Sequence, residues 1–179
     1  MGYYDMENEV LNCLKNRRSC RSYLKKQVDP AALDAVLEAG TYAASGMGRQ
    51  AGKIVVLQDP ADITALERMN AAVMGNPDGH PFYGAPTVCI VFADRNVFTH
   101  VEDGALVMGN LLNAAHAVGL SGCWIHRARE EFDSPEGKAL MKKWGVGEEY
   151  VGIGHCILGY AAHEPAPARE RKADFIIKV

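Results

Sequence analysis

The residues of this chain best suited to chemistry are cations, and they are unevenly spread. Residues 15–26 (KNRRSCRSYLKK) hold Lys15, Arg17, Arg18, Arg21, Lys25 and Lys26 and no acid. A second cluster near the C-terminus holds Arg169, Arg171 and Lys172. Nine of the nineteen Lys and Arg residues thus fall in two short stretches of a chain whose formal net charge is −3. Ser19 and Ser22 lie among the guanidinium groups. Arginine gives bidentate, charge-assisted bonds to an oxyanion and serine adds a donor, so the mixture suits a phosphate. A solvated basic helix end is the other reading of such a run. The phosphate reading accounts for the crowding, because like charges repel unless an anion bridges them.

A second segment, Ala43–Gly52 (AASGMGRQAG), is built of small residues that let a flat ligand or a phosphate touch the backbone. An ordinary helix-to-strand loop has the same composition. It is not a dinucleotide fingerprint, which follows a strand and opens a helix; this segment follows a helix and opens a strand. The six histidines are scattered, with no metal-ligand spacing. No G-x-S-x-G and no P-loop occurs. His155 and Cys156 are neighbours on an expected strand, so they point to opposite faces, and a structural role fits them better than a Cys/His nucleophile.

The elements that must position these groups follow from spacing. Met6, Val10, Cys13 and Leu14 repeat with helical period over residues 6–16. Asp29-Pro30 opens a second helix, with Gly40 as its expected stop. Lys53–Gln58 reads as a strand, and Pro60 starts a helix running to about Val73. Residues 75–86 form a Pro/Gly loop before Thr87–Ala93, a strand apolar on both faces. Glu102-Asp103 begin the longest helix, running to Val118 and stopped at Gly119. Its apolar residues lie almost all round, which calls for cover from a partner chain. Gly122–His126 is a strand, Ser134–Trp144 a helix, and Tyr150–Tyr160 a strand whose glycines let something approach the backbone. The tail Phe175–Val179 is strand-like and needs a sheet edge, which a second subunit can offer. Strands and helices mix without strict alternation, so the expected class is α+β: a central mixed or antiparallel sheet flanked by helices.

The chain has 179 residues, 48% hydrophobic and 23% charged, which suits one globular domain. Its acidic balance argues against a nucleic-acid partner. No apolar run approaches the roughly 18 residues of a membrane span. The five cysteines are odd in number and form no C-x-x-C pair, consistent with reduced thiols in a cytoplasmic protein.

Several of these segments together resemble the FMN-dependent nitroreductase family. They are Arg17-Arg18-Ser19-x-Arg21, the A-A-S-G-x-G-x-Q loop at 43–50, Tyr83-Gly84-Ala85-Pro86 before an apolar strand, Gly119-Leu120, and Gly122-Cys123-Trp124-Ile125. The late Gly-Tyr with its Pro/Arg-rich stretch completes the set. The order and spacing match over essentially the whole chain. The resemblance implies an intertwined α+β homodimer with an FMN site at each subunit interface, residues 173–179 being exchanged with the partner. It implies that Arg17, Arg18, Ser19, Arg169 and Arg171 hold the phosphate and that Arg21 lies near the flavin N1/O2 edge. There a cation stabilises the charge added on reduction. Ala44, Ser45, Gly46 and Gly48 match the loop that reaches the flavin from the other subunit. The backbone of Trp124, Ile125 and His126 matches the strand end at N5 and O4. The implied activity is ping-pong transfer of two electrons from NAD(P)H to a small organic acceptor such as a nitroaromatic or quinone. Ala44 and Gly48 stand where the family often has Pro and Asn, and residues 75–86 lack the lysine that longer members carry. These departures bear on flavin potential and substrate choice.

Overall fold

The computed structural model describes residues 7–179. Met6 lies outside the described residues; the first helix, α1, runs Glu9–Asn16, with the Asn8 side chain accepting from Leu11 N at 2.9 Å. Three later helices start with one device, a capping side chain followed by proline. Asp29 caps α2 (Pro30–Thr41), Asp59 caps α3 (Pro60–Val73) and Ser134 caps α6 (Pro135–Lys143). Between them lie α4 (His100–Ala117) and a short α5 (Ala128–Asp133).

The four strands β1 (Gly52–Leu57), β2 (Thr87–Asp94), β3 (Ser121–Ile125) and β4 (Tyr150–Gly159) form one sheet in the order β1-β2-β4-β3. Every named pairing is antiparallel. Strand β2 is central and buried along nearly its whole length, as its unbroken apolar run requires. Helices α3, α5 and α6 cover one face, packing Leu66, Phe92, Phe132 and Met141. Helices α2 and α4 cover the other, packing Val36, Met108, Leu111 and Leu158. Each such buried side chain contributes about 1.5–3 kcal/mol through removal from water. His155 belongs to the first layer and Cys156 to the second, as strand alternation demands.

Several expectations are corrected. Gly40 does not stop α2, which continues to Thr41; a Cβ at Gly40 would lie 2.7 Å from Leu111 Cδ2, so this glycine permits close packing of α2 on α4. Helix α4 begins two residues earlier than expected, at His100. Its Val107, Met108, Leu111 and Ala115 are buried, whereas Val101 and Leu106 are 47% and 49% exposed. Helix α5 was not expected. Strand β3 ends at Ile125, leaving His126 exposed beyond it. Residues 173–179 form no strand within this chain and lie exposed, Phe175, Ile176 and Ile177 among them. The β4 glycines do admit close neighbours, and these belong to the protein: Ala128 O at Gly152 and the Trp124 indole at Gly154. No helix among the described residues is long and apolar enough to cross a membrane.

Candidate functional site

The first basic cluster follows α1 as an extended segment laced to one end of the sheet. Ser19 bridges to Gly122, Cys20 N donates to Gly122 O at 3.1 Å, and Leu24 N donates to Tyr160 O at 2.9 Å. Ala162 N returns to Ser22 O at 2.9 Å. Because Ser121 pairs with Gly159, the start of β3 and the exit of β4 are neighbours, and the chain beyond Tyr160 passes the same end. A cavity of about 550 Å³ opens there, lined by Arg17, Arg18, His116, Ser121, Gly122 and residues 164–168.

Arg17 is the telling residue of this cavity. Its Nη1 is buried and has no hydrogen-bond partner among the described residues. A buried guanidinium N–H without an acceptor is costly, and the Arg17 side chain also lines the cavity, where an oxyanion would meet its charge. The Arg18 guanidinium is partly engaged: Nη1 donates to Lys15 O at 2.6 Å and to Arg17 O at 2.7 Å, tying down the end of α1. Ser19 and Arg21 are exposed beside it. Arg169 and Arg171 follow directly on the lining residue Ala168; both are exposed, with the Arg171 guanidinium folded onto Arg169 O. Glu164 also lines the cavity, opposing an anion in part. Gly122 is part of a motif the sequence offers, but His116 and Ser121 were not singled out, since they join Arg17 only when the end of α4 and the start of β3 meet the segment after α1.

The small-residue loop lies elsewhere. Ala44 and Ser45 line a second cavity of about 400 Å³ with Thr41, Gln50, Asp103 and the apolar Leu37, Ile54, Val56 and Val107. Gly46 N donates to Asp103 Oδ1 at 2.9 Å, and Gln50 N donates to Ser45 Oγ at 3.0 Å. Met47 and Gln50 hold left-handed φ values of 52° and 50°, and Gly48 one of 67°. Non-glycine residues persist there only when their surroundings over-determine the loop. A Cβ at Gly46 would overlap the Thr99 hydroxyl, so that position demands glycine. Asp103 is buried, and its Oδ2 has no partner among the described residues.

Strand β3 links the Arg17 cavity to a second feature. Gly122 and His126 are four residues apart on extended chain, hence roughly 13 Å. The side chain of Ile125 is buried, so only its backbone is available to a ligand, whereas Trp124 is half-buried against Gly154. Past His126, Arg127 adopts φ 81° and opens α5.

This antiparallel α+β fold matches proteins already known. The nitroreductase family model covers residues 14–160, and the chain belongs to that family. A nitroreductase with bound FMN from Bacteroides fragilis is 32% identical; the match spans 97% of this chain and all of that one, with a TM-score of 0.88. A nitroreductase with bound FMN from Desulfitobacterium hafniense is 26% identical over the same shares, with a TM-score of 0.87. A protein of Methanothermobacter thermautotrophicus, whose name contains the terms NADH dehydrogenase and NAD(P)H nitroreductase, is 28% identical over 88% of this chain and 80% of its own length.

Proposed function

We propose that this chain is an FMN-dependent oxidoreductase that takes two electrons from NAD(P)H and passes them to a small organic acceptor, such as a nitroaromatic or quinone, in two half-reactions at one site. The observation that carries this reading is Arg17, which lines a cavity at the origin of β3 and whose buried Nη1 has no partner among the described residues. The FMN in the Bacteroides and Desulfitobacterium relatives supports it.

The chemistry supplied by bound FMN is reversible two-electron transfer. Arg17, with Arg18, Ser19, Arg169 and Arg171, would hold its phosphate, giving charge-assisted bonds that also discharge the crowding of like charges. Arg21 would stand at the N1/O2 edge, where a fixed cation favours the more negative, reduced state. The backbone of Trp124, Ile125 and His126 would meet the other edge of the ring. Ala44, Ser45, Gly46 and Gly48 would serve a partner subunit's cofactor, since the cavity that Ala44 and Ser45 line is not that of Arg17. The homodimer this implies agrees with the exposed Leu106, Phe175, Ile176 and Ile177. No nucleophilic side chain is needed: the protein binds, orients and excludes water.

The test is spectroscopic. Protein incubated with FMN and desalted retains a flavin spectrum, NADH or NADPH bleaches it without oxygen, and a nitroaromatic or quinone restores it. Retention without bleaching would instead mark a flavin carrier, and a colourless protein would end the reading.

A further inference from the structure

The turn that closes β3 is held from beneath by a chain of polar side chains, half-buried at Arg127 and fully buried beyond it. Arg127 donates from Nε and Nη2 to Asn70 Oδ1 at 3.0 and 2.8 Å. The Asn70 amide donates to His126 O at 2.8 Å and also to Glu131 Oε1. Glu131 Oε2 meets His155 Nε2 at 2.9 Å. Asn70, Glu131 and His155 are each at most 1% exposed. They come from three different elements, α3, α5 and β4, and converge under a residue at φ 81°.

The arrangement uses each group's full capacity. Only a carboxamide can accept two guanidinium bonds on its oxygen while donating from its nitrogen to a carbonyl and a carboxylate. Asn70 therefore joins a cation to a buried anion without letting them touch. His155 Nδ1 has no partner among the described residues. The proton accordingly belongs on Nε2, facing Glu131, with Nδ1 left as a bare acceptor rather than a stranded N–H. Both Glu131 oxygens then accept, Oε1 from the Asn70 amide and Oε2 from His155 Nε2, the bonding pattern of a carboxylate, with the Arg127 cation joined to it through the amide. A buried charge system of this kind is expensive unless complete. A left-handed non-glycine residue adds further cost. Packing alone explains neither, because an apolar core at Asn70 and Glu131 would be simpler.

We propose that Asn70, Glu131 and His155 are positioning residues that lock the His126–Arg127 turn, with its charge balanced, against the reacting end of the cofactor. The proposal rests on the FMN reading above, which sets the ring at this end of β3. A merely structural network would affect melting temperature alone. A positioning network also sets how readily the bound flavin is reduced, with opposite signs at its two ends. Glu131→Gln leaves the Arg127 cation uncompensated and favours the reduced state. Arg127→Gly fits the left-handed backbone, leaves the Glu131 carboxylate uncompensated and favours the oxidised state.

The experiment equilibrates FMN-loaded wild type, Glu131→Gln and Arg127→Gly with one redox buffer and reads the ratio of reduced to oxidised flavin. We expect a rise of about tenfold for Glu131→Gln and a fall of about tenfold for Arg127→Gly, each equivalent to about 30 mV in a two-electron couple. FMN affinity, set at the phosphate end, should change less than threefold. Arg127→Gly removes only a half-buried side chain and serves alone if Glu131→Gln does not fold. Loaded variants whose ratios stay within twofold of wild type would overturn the proposal while leaving the FMN reading intact. A wild-type protein that takes up no FMN would overturn both.

Discussion

The backbone amide of Gly46 donates to Oδ1 of Asp103 at 2.9 Å, fastening the loop after α2 to the first turn of α4. The same loop backs onto Thr99, the residue preceding that helix, so closely that no side chain fits at Gly46. Gly46→Ala should therefore destabilise the fold by about 1–3 kcal/mol through overpacking. Thr99→Ala should recover part of that loss in the double variant. Urea unfolding of the four proteins decides it; strictly additive effects would show that Thr99 is not the obstacle.

The thiols give a pH prediction. Burial pushes Cys89 from an ordinary 9.0 up to about 12. Cys156 is driven well above its ordinary value by burial and by the neighbouring thiols Cys89 and Cys123. Below pH 9 both folded and unfolded chains keep these protons. Above it the unfolded chain ionises first, so stability falls by about 1.4 kcal/mol per pH unit for each such thiol until the folded value is reached. Cys89→Ala should flatten the decline between pH 9 and 12. In native protein near pH 8, only the half-buried Cys13 should react readily with a thiol reagent.

Much of the fold is legible because local rules decide it. The Asp29-Pro30, Asp59-Pro60 and Ser134-Pro135 pairs mark helix starts unaided, and the run Thr87–Ala93 declares a doubly covered strand. Gly40 misleads because a glycine that ends a helix and one that lets two helices touch look alike in sequence. Helix α5 is hidden because six residues complete too few turns to show a period. The Arg17 cluster is visible as charge segregation. The Asn70–Glu131–His155 network is not, since its members lie 61 and 24 residues apart and meet only when α3 and α5 pack against each other and α5 packs on β4. Arg127 and Glu131, at helical spacing, and a histidine inside the apolar run YVGIGHCILG are the traces it leaves.

Arg21 is exposed, and its assignment is electrostatic. Replacing it with methionine should lower the flavin potential by tens of millivolts, about 30 mV for each 1.4 kcal/mol of lost stabilisation. FMN affinity should suffer less than on loss of Arg17. A potential titration of reconstituted Arg21→Met reads this directly, and an unchanged value would make Arg21 a phosphate or surface cation.

The tail tests assembly. Phe175, Ile176 and Ile177 are 73–82% exposed in the single chain. An obligate dimer would bury on the order of 2,000 Å² or more. Deleting residues 173–179 should weaken the dimer in sedimentation and release FMN in parallel. A full-length protein that sediments as an FMN-loaded monomer contradicts the two-chain site.

The FMN affinity of Arg17→Ala against wild type bears most directly on the account, because Arg17 lines the proposed phosphate cavity and carries a buried N–H with no partner among the described residues. Losing a charge-assisted contact should cost about 1.5–3 kcal/mol, a drop of roughly 10- to 150-fold in a fluorescence titration with FMN. An Arg17→Ala protein that binds FMN as tightly as wild type would contradict the account.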